Sequence, residues 1–379
     1  MGGDAGYDDR PGLAAAFEAQ SRASRENGSP LYAGLCRSAS LDLVAGGRLV
    51  ELLEPWADAR NGDMVPLRVL GAAHRLVLER RAPALALWFP SVGGEAPVDG
   101  AGRAACFEAW VDTLVEHRDR LPELLAGPPQ TNDPGRAAVL LGGLQHVASA
   151  YGLPIRLHEL GTSAGLLLRS DLVRVTWAGG EAGAAASPVV LEDAWLGDPL
   201  PPDVRPDVRE RVGCDRDPVD LATVEGRLLL TSYVWPDQRD RLELLRGGLQ
   251  LAAEHPATVL RADVVDHLRS LSLQEGTALV LWNSSVWLYL DDDERAAADA
   301  AIEELGRQAT ASSPVVQLSR EFLGEKLRRS FPLTARGWPH GPTGAPAGRA
   351  VLLADSPPHG LPVRWHPPVL EDPAQPFRP

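Results

Sequence analysis

Several residue types are scarce in this chain of 379 residues, and each shortage argues against a class of chemistry. Lys326 is the only lysine, so Schiff-base chemistry would have a single candidate. The three cysteines, Cys36, Cys106 and Cys214, lie far apart, and neither a CxxC nor an HExxH pattern occurs. The sequence therefore gives little support to a zinc site, and we expect no metal cofactor and a reduced, cytoplasmic setting.

Long apolar runs are also missing. No stretch of about 18 apolar residues occurs, so a membrane span is not expected. The acidic N-terminus, MGGDAGYDDRPG, lacks the basic and apolar pattern of a secretory signal. The net charge is −14, whereas a nucleic-acid binder draws its affinity from a basic surface. We expect a small-molecule substrate as the partner, with neither nucleic acid nor membrane, and the sequence leaves the oligomeric state open.

The first third of the chain has the periodicity of helices. VPLRVLGAAHRLVLERR, from Val65, has apolar residues at helical spacing, with Pro66 suited to a first helical turn. A stronger stripe follows in ACFEAWVDTLVEHRDRL, where one helix face carries Phe107, Trp110, Val111, Leu114 and Val115. Residues 90–103 have the composition of a loop. These patterns predict a helical N-terminal domain over residues 1–125.

From about residue 150, short apolar strands alternate with helical runs. The predicted strands are IRLHEL (155–160), VRERVGCD (208–215), ATVLRAD (257–263), TALVLWNSS (277–285) and SPVVQLSRE (313–321). Such alternation is typical of a parallel sheet covered by helices. Two later pieces, SFPLTARGW and RAVLLAD, would form an antiparallel hairpin that closes the sheet.

The second domain is accordingly expected over residues 126–370, as an α/β domain with a mostly parallel sheet. Residues 172–207 interrupt the alternation and are rich in Gly, Pro and Ala, so this segment is either a hairpin excursion or a lid over the site. The tail, residues 371–379, is expected to be loose.

The segment IRLHELGTSAGLLLRSD (155–171) contains the most informative motif. An apolar strand runs into Gly161-Thr162-Ser163-Ala164-Gly165, an apolar helix-like run follows, and Glu159 precedes the first glycine by two residues. The glycines would let the backbone approach a ligand closely, and the following helix would offer free N–H groups. The motif also fits G-x-S-x-G, the nucleophile elbow of a serine hydrolase, and a purely structural tight turn.

Acidic and polar residues end the other predicted strands as well. In a parallel sheet the carboxyl ends of the strands share one edge, where ligands bind. Glu159 could accept a hydrogen bond from a ligand ammonium group, Asp215 or Asp217 could bind ribose hydroxyls, and Asp263 an adenine amino group. Asn283 and Ser284 would line the substrate side as candidate catalytic residues. The candidate cofactor-binding set is Glu159, Gly161, Ser163, Gly165, Asp215, Asp217 and Asp263.

The hydrolase interpretation needs an acid and then a histidine after Ser163 in the chain. Asp263 or Asp266 with His340 or His359 would satisfy this order. The ordinary elbow follows several sheet strands, however, whereas the chain before Ser163 has a helical pattern. The interpretation of this turn as part of a ligand-binding site is therefore favoured, and the serine hydrolase is kept as an alternative.

The polar stretch QTNDPGR (130–136) precedes the helix that leads into the first strand. Asp133 followed by Pro134 is good helix-capping chemistry. The alternative is that polar residues of this stretch bind a substrate, together with Trp235, which could equally belong to the core. The candidate substrate-binding residues are Gln130, Asn132, Arg136 and Trp235.

Several of these stretches resemble DUF2332, a bacterial family of uncharacterised proteins. They span roughly residues 29–366 and are SPLYAGL (29–35), QTNDPGRAAVL (130–140), LHELGTSAGLLLRSD (157–171), GCDRDPVD (213–220), YVWPDQRDRLELL (233–245) and VLWNSSVWLYL (280–290). The later part of the family is similar to the Rossmann-like fold of class I methyltransferases. The resemblance implies S-adenosylmethionine as cofactor and a methyltransferase-like enzyme acting on a small molecule. A serine hydrolase using Ser163 and a non-catalytic ligand-binding protein are the alternatives.

The motif departs in places from these patterns. Methyltransferases usually have acidic-x-Gly-x-Gly-x-Gly, and here Ser163 replaces the middle glycine. Asp215 lies further along than usual because residues 172–207 intervene. Leu167 stands where the family usually has Asn, and Asn283 stands where a histidine is expected. These differences bear on the cofactor site and on the activity.

Overall fold

The structure is a computed structural model that describes residues 12–199, 204–322 and 330–370. Its α-helices are α1 Leu13–Glu26, α2 Pro30–Val44, α3 Arg48–Leu53, α4 Val65–Leu78, α5 Pro83–Ala86, α6 Gly100–Glu116, α7 Leu121–Leu124, α8 Ala137–Tyr151, α9 Val224–Ser232, α10 Arg239–Glu254, α11 Val264–Ser270 and α12 Asp292–Gln308. Over these ranges, no helix has both the length and the apolar composition needed to cross a membrane.

The strands follow the same chain order. They are β1 Ile155–Leu160, β2 Arg174–Trp177, β3 Gly180–Gly183, β4 Val190–Leu191, β5 Trp195–Leu196, β6 Val208–Asp215, β7 Thr258–Arg261, β8 Ala278–Ser284, β9 Val315–Arg320, β10 Phe331–Trp338, β11 Val351–Ser356 and β12 Val363–Leu370. The seven segments predicted as strands all form strands, with bounds that agree to within a few residues.

The chain divides into two compact units. The helical unit comprises the residues up to Thr131 together with the segment Ala222–Leu242, and the α/β unit comprises Asn132–Leu221 and the residues from Glu243 onward. The segment Ala222–Leu242 lies between β6 and β7 in the chain, and it nevertheless belongs to the helical unit.

The helical unit is built around one apolar core. In α6, the predicted stripe is buried at Trp110, Val111 and Leu114, while Phe107 and Val115 are half-buried. α4 has Pro66 in its first turn, as its sequence predicts. Trp235 belongs to this core, with its ring centroid 5.9 Å from that of Tyr32. Deleting any of these large buried side chains is expected to cost several kcal/mol, about 3–5 for a tryptophan.

The α/β unit contains a nine-stranded sheet in the order β5-β12-β11-β10-β9-β8-β1-β6-β7. Five of its eight strand pairings are parallel, and the three antiparallel pairings are β9 with β10, β10 with β11 and β11 with β12. The expected α/β class with a mostly parallel sheet is therefore confirmed, as is the antiparallel hairpin of β10 and β11. Leu160 is in register with Cys214 on one side and Asn283 on the other, so these strand ends lie at one edge.

Residues 172–207 contribute a second, small sheet in the order β3-β2-β4, in which β2 and β3 form an antiparallel hairpin. β5 then pairs in parallel with β12 at the margin of the large sheet. Trp177 and Trp195 pack with their ring centroids 4.6 Å apart, and both belong to the core of the α/β unit. Burial of these two indoles fixes the segment to the unit.

Candidate functional site

The turn after β1 folds back on the end of β6. The backbone N–H groups of Gly161 and Thr162 both donate to the carbonyl oxygen of Cys214, at 2.9 and 3.0 Å. The next N–H, that of Ser163, donates to Asp215 Oδ2 at 2.8 Å. Gly161, Ser163 and Gly165 all have left-handed backbone angles, with φ of 70°, 53° and 72°. Glycine adopts these values without a steric cost, whereas a serine is strained there.

The reason for the two glycines differs from the one expected. A Cβ on Gly161 would lie 2.5 Å from Val286 Cγ2, and a Cβ on Gly165 would lie 3.0 Å from Val259 Cγ2. Close packing of protein against protein, as well as the positive φ, therefore requires glycine at these positions. The proposed close approach of a ligand to these glycines is not needed to explain them.

The helix expected after the turn is also different. Leu166–Leu172 is a short 3-10 segment, and it is interrupted at Arg169 by a non-helical backbone angle. Its first N–H, that of Leu166, donates to Asn132 Oδ1 at 2.7 Å, and the N–H of Leu168 donates to the carbonyl of Gly165. Two of the N–H groups that were expected to be free, those of Leu166 and Leu168, are thus already bonded within the protein.

Glu159 is a buried carboxyl group at the end of β1. Thr162 Oγ1 donates a hydrogen bond to its Oε2 at 2.6 Å. Burial raises the pKa of Glu159 to about 8, against the lowering effects of the Thr162 hydrogen bond and the Arg169 charge, and the nearby charge of Asp215 adds to the rise. The carboxyl is therefore mostly protonated at neutral pH, because taking a charge out of water is costly.

Asp215 lies half-buried at the end of β6, beside this turn. Its Oδ2 accepts from Ser163 N, and its Oδ1 accepts from Asp217 N at 2.9 Å. Asp217 itself is exposed and pairs with Arg261 at 2.9 Å. Asp215 therefore lies in the same turn region as Glu159 and Ser163, whereas Asp217 forms an ion pair with Arg261 at the solvated surface.

Asp263 is the N-cap of α11, where it accepts from Val265 N at 2.8 Å. Its Oδ2 accepts from Arg216 at 2.6 Å, and Arg216 also bonds Glu294. Burial raises the pKa of Asp263, but the hydrogen bonds from Arg216 and the helix N-terminus outweigh it and leave the pKa below its usual value. Capping and arginine pairing account for this aspartate.

The two candidate catalytic residues lie at the end of β8. Asn283 is fully buried; its amide donates to Ser319 Oγ at 2.7 Å and to Glu321 Oε1 at 2.9 Å. Ser284 Oγ accepts from Arg320 at 3.3 Å. Because Asn283 is fully buried and bonded to Ser319, Glu321 and Gln317, its side chain offers no surface to a substrate in this conformation.

The stretch 130–136 divides between the two units. Asp133 caps the 3-10 segment Pro134–Arg136 by accepting from Gly135 N at 3.0 Å, which confirms the predicted cap. Arg136 donates to the carbonyl of Pro358 at 3.3 Å, and its charge lowers the pKa of Glu159. Gln130 and Trp235 are buried in the helical unit. The substrate-binding role of this set stays a prediction.

The sequence assigned no role to two charged residues at this edge, and it offered His359 only as a partner for Ser163 in the hydrolase interpretation. Arg320 and Glu321, at the end of β9, are both buried; burial lowers the pKa of the first and raises that of the second. His359 Nδ1 lies 3.1 Å from Asp133 Oδ2. The only available signal was that Glu321 ends a predicted strand, like the other carboxylates.

The hydrolase alternative depended on a downstream acid and histidine. Asp263 is engaged by Arg216, and the ring of His340 stacks on Tyr151 with centroids 5.1 Å apart. His359 pairs with Asp133, which precedes Ser163 in the chain. The acid–histidine pairs of the described residues, which are His158 with Glu210, His359 with Asp133 and His366 with Asp355, all differ from the pairs that the sequence offered. Among the residues that the structure describes, no cluster of histidine, cysteine or acidic side chains could hold a metal ion.

Comparison with known proteins identifies a family. The model of the family described as "Uncharacterized protein conserved in bacteria (DUF2332)" matches residues 14–365. No curated protein matches the chain. Among solved structures, the chain is similar to the CcbJ methyltransferase from Streptomyces caelestis, with 17% identity over 66% of this chain and 81% of that one, and a TM-score of 0.22. A TM-score this low does not establish a shared fold.

Proposed function

The chain belongs to the DUF2332 family, and we propose that its α/β unit is a Rossmann-like domain that binds S-adenosylmethionine and has methyltransferase-like activity on a small molecule. The observation that carries the proposal is the buried carboxyl of Glu159 with its pKa raised to about 8. It ends β1, which lies between β6 and β8 in the sheet. Strand order reverses at this point, and ligands of doubly wound sheets bind beside such reversals.

The acidic residues fit the chemistry of S-adenosylmethionine. The hydrogen bond from Thr162 to Glu159 comes from a neutral hydroxyl, so a ligand ammonium group would offset the cost of ionising this buried acid. The half-buried Asp215 retains lone pairs on both oxygens beyond those used by backbone N–H groups, and a ribose diol needs such acceptors. Charge and hydrogen-bonding capacity thus support the proposal, while the glycines do not bear on it.

When bound, S-adenosylmethionine supplies an electrophilic methyl group on a sulfonium. The protein's part is to bind, orient and exclude water, which accounts for much of the rate of a direct transfer. Glu159 would lose its proton as it takes up the ligand ammonium. Asn283 would hold Glu321, and Glu321 in turn accepts from the N–H of Val286 at 3.0 Å, which fixes the loop after β8.

Calorimetric titration with S-adenosylmethionine and S-adenosylhomocysteine tests this proposal. We expect binding at neutral pH to release close to one proton, seen as a heat that depends on the buffer's ionisation enthalpy. Glu159→Gln removes the charge and should weaken binding about 10-fold or more, the equivalent of roughly 1.5–3 kcal/mol for a charged hydrogen bond. Glu304→Gln, an exposed acid of α12, is the matched control and should bind like the parent. No heat, or equal affinity in Glu159→Gln, contradicts the proposal.

A serine hydrolase is the second candidate, and one observation favours it. Ser163 has a φ of 53°, and a strained serine in a turn after a strand is a feature of nucleophile elbows. Labelling of the parent, but not of Ser163→Ala, by a fluorophosphonate would establish the hydrolase. Binding of S-adenosylmethionine without methyl transfer to any acceptor would instead indicate a non-catalytic ligand-binding protein.

A further inference from the structure

A histidine–aspartate pair lies outside the residues assigned to the proposed cofactor site. His359 Nδ1 is 3.1 Å from Asp133 Oδ2, and the other oxygen of Asp133 accepts from Gly135 N. The Asp133 side chain is 3% exposed and that of His359 is 25% exposed. A buried carboxylate that accepts from Nδ1–H leaves Nε2 as a hydrogen-bond acceptor, which is the tautomer that a general base requires.

The loop that carries His359 is fastened by two arginines. The fully buried Arg320 donates to Ser356 Oγ at 2.8 Å and to the carbonyls of Pro357 and Pro358. Arg136 donates to the same carbonyl of Pro358. Burying a guanidinium is costly, and among the described residues the hydrogen-bond partners of Arg320 are hydroxyl and carbonyl groups, so its bonds to this loop offset part of that cost. These bonds hold the backbone that leads into His359.

The pair lies close to the turn after β1. Asn132, the neighbour of Asp133, accepts from Leu166 N directly after Gly165. The charge of Arg136, three residues further on, affects both the pKa of Glu159 and that of Tyr289. The histidine–aspartate pair and the proposed ligand site therefore share the same edge of the sheet.

We propose that His359, oriented by Asp133, is the general base of this site, and that the methyl acceptor is a molecule with a hydroxyl or amine group. The inference rests on the proposed function. Nε2 of His359 takes the acceptor's proton, and the acceptor oxygen or nitrogen bonds to the methyl carbon as the carbon–sulfur bond breaks with its electron pair on sulfur. The imidazolium, balanced by Asp133, then returns its proton to water. General bases of this kind contribute about 10²–10⁴-fold to a rate.

The body of the acceptor is expected to be apolar. Leu288 and Tyr289, in the loop after β8, are large apolar residues that are 43% and 41% exposed. Exposed apolar side chains beside a polar site are typical of pockets that bind an organic molecule and orient it by a few polar groups. A thiol already ionised at neutral pH would have no need of the base.

The test uses two-bond ¹H–¹⁵N spectra of the histidine rings in the full chain, with and without S-adenosylhomocysteine. His359→Gln assigns the His359 signals by their loss from among the nine histidines. His366, whose Nε2 is 2.8 Å from Asp355 and whose side chain is 28% exposed, serves as the matched control pair. We expect a neutral His359 protonated at Nδ1, and shifts in its ring signals on ligand addition while those of His366 stay in place.

Each outcome bears on one of the two proposals. An Nε2–H tautomer, or a His359 ring whose signals do not move although calorimetry shows that S-adenosylhomocysteine binds, would overturn the base and leave the cofactor proposal standing. Absence of binding heat overturns both. Asp133→Asn should mix the two tautomers of His359, and a tautomer unchanged in that variant would show that Asp133 does not orient the ring.

Discussion

Replacing Glu159 by Gln is expected to remove a pH-dependent loss of stability. Burial raises the pKa of Glu159 from 4.5 to about 8. The folded state thus keeps a proton that the unfolded state has released between these two values. The stability contributed by the protonated acid is fully present below pH 4.5 and is lost as the pH rises through 8. At about 1.4 kcal/mol for each unit of pKa, the loss approaches ~5 kcal/mol.

Gln has no proton to lose, and its amide oxygen can still accept from Thr162. Urea unfolding followed by circular dichroism, at several values between about pH 5 and pH 8, should show the variant gaining on the parent by roughly 1 kcal/mol per pH unit. Titration of the histidines affects both proteins equally and cancels in the difference. The exposed-acid control, Glu304→Gln, should show no such trend. A constant difference between Glu159→Gln and parent would mean that Glu159 is ionised in the folded protein, which refutes the reasoning.

Three further substitutions test the local packing. Gly161→Ala should lower the free energy of unfolding by about 2–4 kcal/mol, because the residue has a φ of 70° and its new Cβ would overlap Val286. Adding Val286→Ala in the same chain should restore only the part of this stability that is lost to the overlap. A neutral effect of Gly161→Ala would contradict the clash. Asn132→Ala should lower the free energy of unfolding by about 1–2 kcal/mol and speed hydrogen exchange of the Leu166 N–H, which donates to Asn132 Oδ1. Asn132→Asp should restore both the stability and the slow exchange. Arg320→Met should cost about 3 kcal/mol by leaving carbonyls unbonded, and hydrogen exchange at Gly360 should rise; unchanged exchange there would show that the loop does not depend on Arg320.

The strands of the parallel part were predictable because their apolar runs are short and bounded by polar residues. β1 and β6 begin and end at the predicted residues. β12 was not predicted, since Pro367 and Pro368 argue against a strand. The two prolines fall at an irregularity in the pairing with β11, between Trp365 and Val369, and β5 pairs only with Val363 and Arg364, so neither proline takes part in a described strand pairing.

The candidate site was predictable only in part. Acidic residues at strand ends are visible in sequence, and the parallel sheet brings Glu159 and Asp215 to one edge. The pairing of His359 with Asp133 joins residues 226 positions apart, which no local pattern reveals. Arg320 would be expected at the surface, because isolated charges are rarely buried. Its carbonyl partners come from the turn after β11, so only the tertiary fold explains it.

The split composition of the helical unit has a consequence for synthesis on the ribosome. Its residues up to Thr131 emerge first, but Trp235 of its core and the carbonyl of Ser232, 3.1 Å from His74 Nδ1, belong to the later segment Ala222–Leu242. At about 5–20 residues per second, roughly 6–22 s separate the two pieces. During that interval the nascent helices expose the surface that Trp235 will cover. The first part of the chain to be made therefore cannot complete its core until the segment Ala222–Leu242 has followed, and a fragment ending at Thr131 lacks Trp235 of that core.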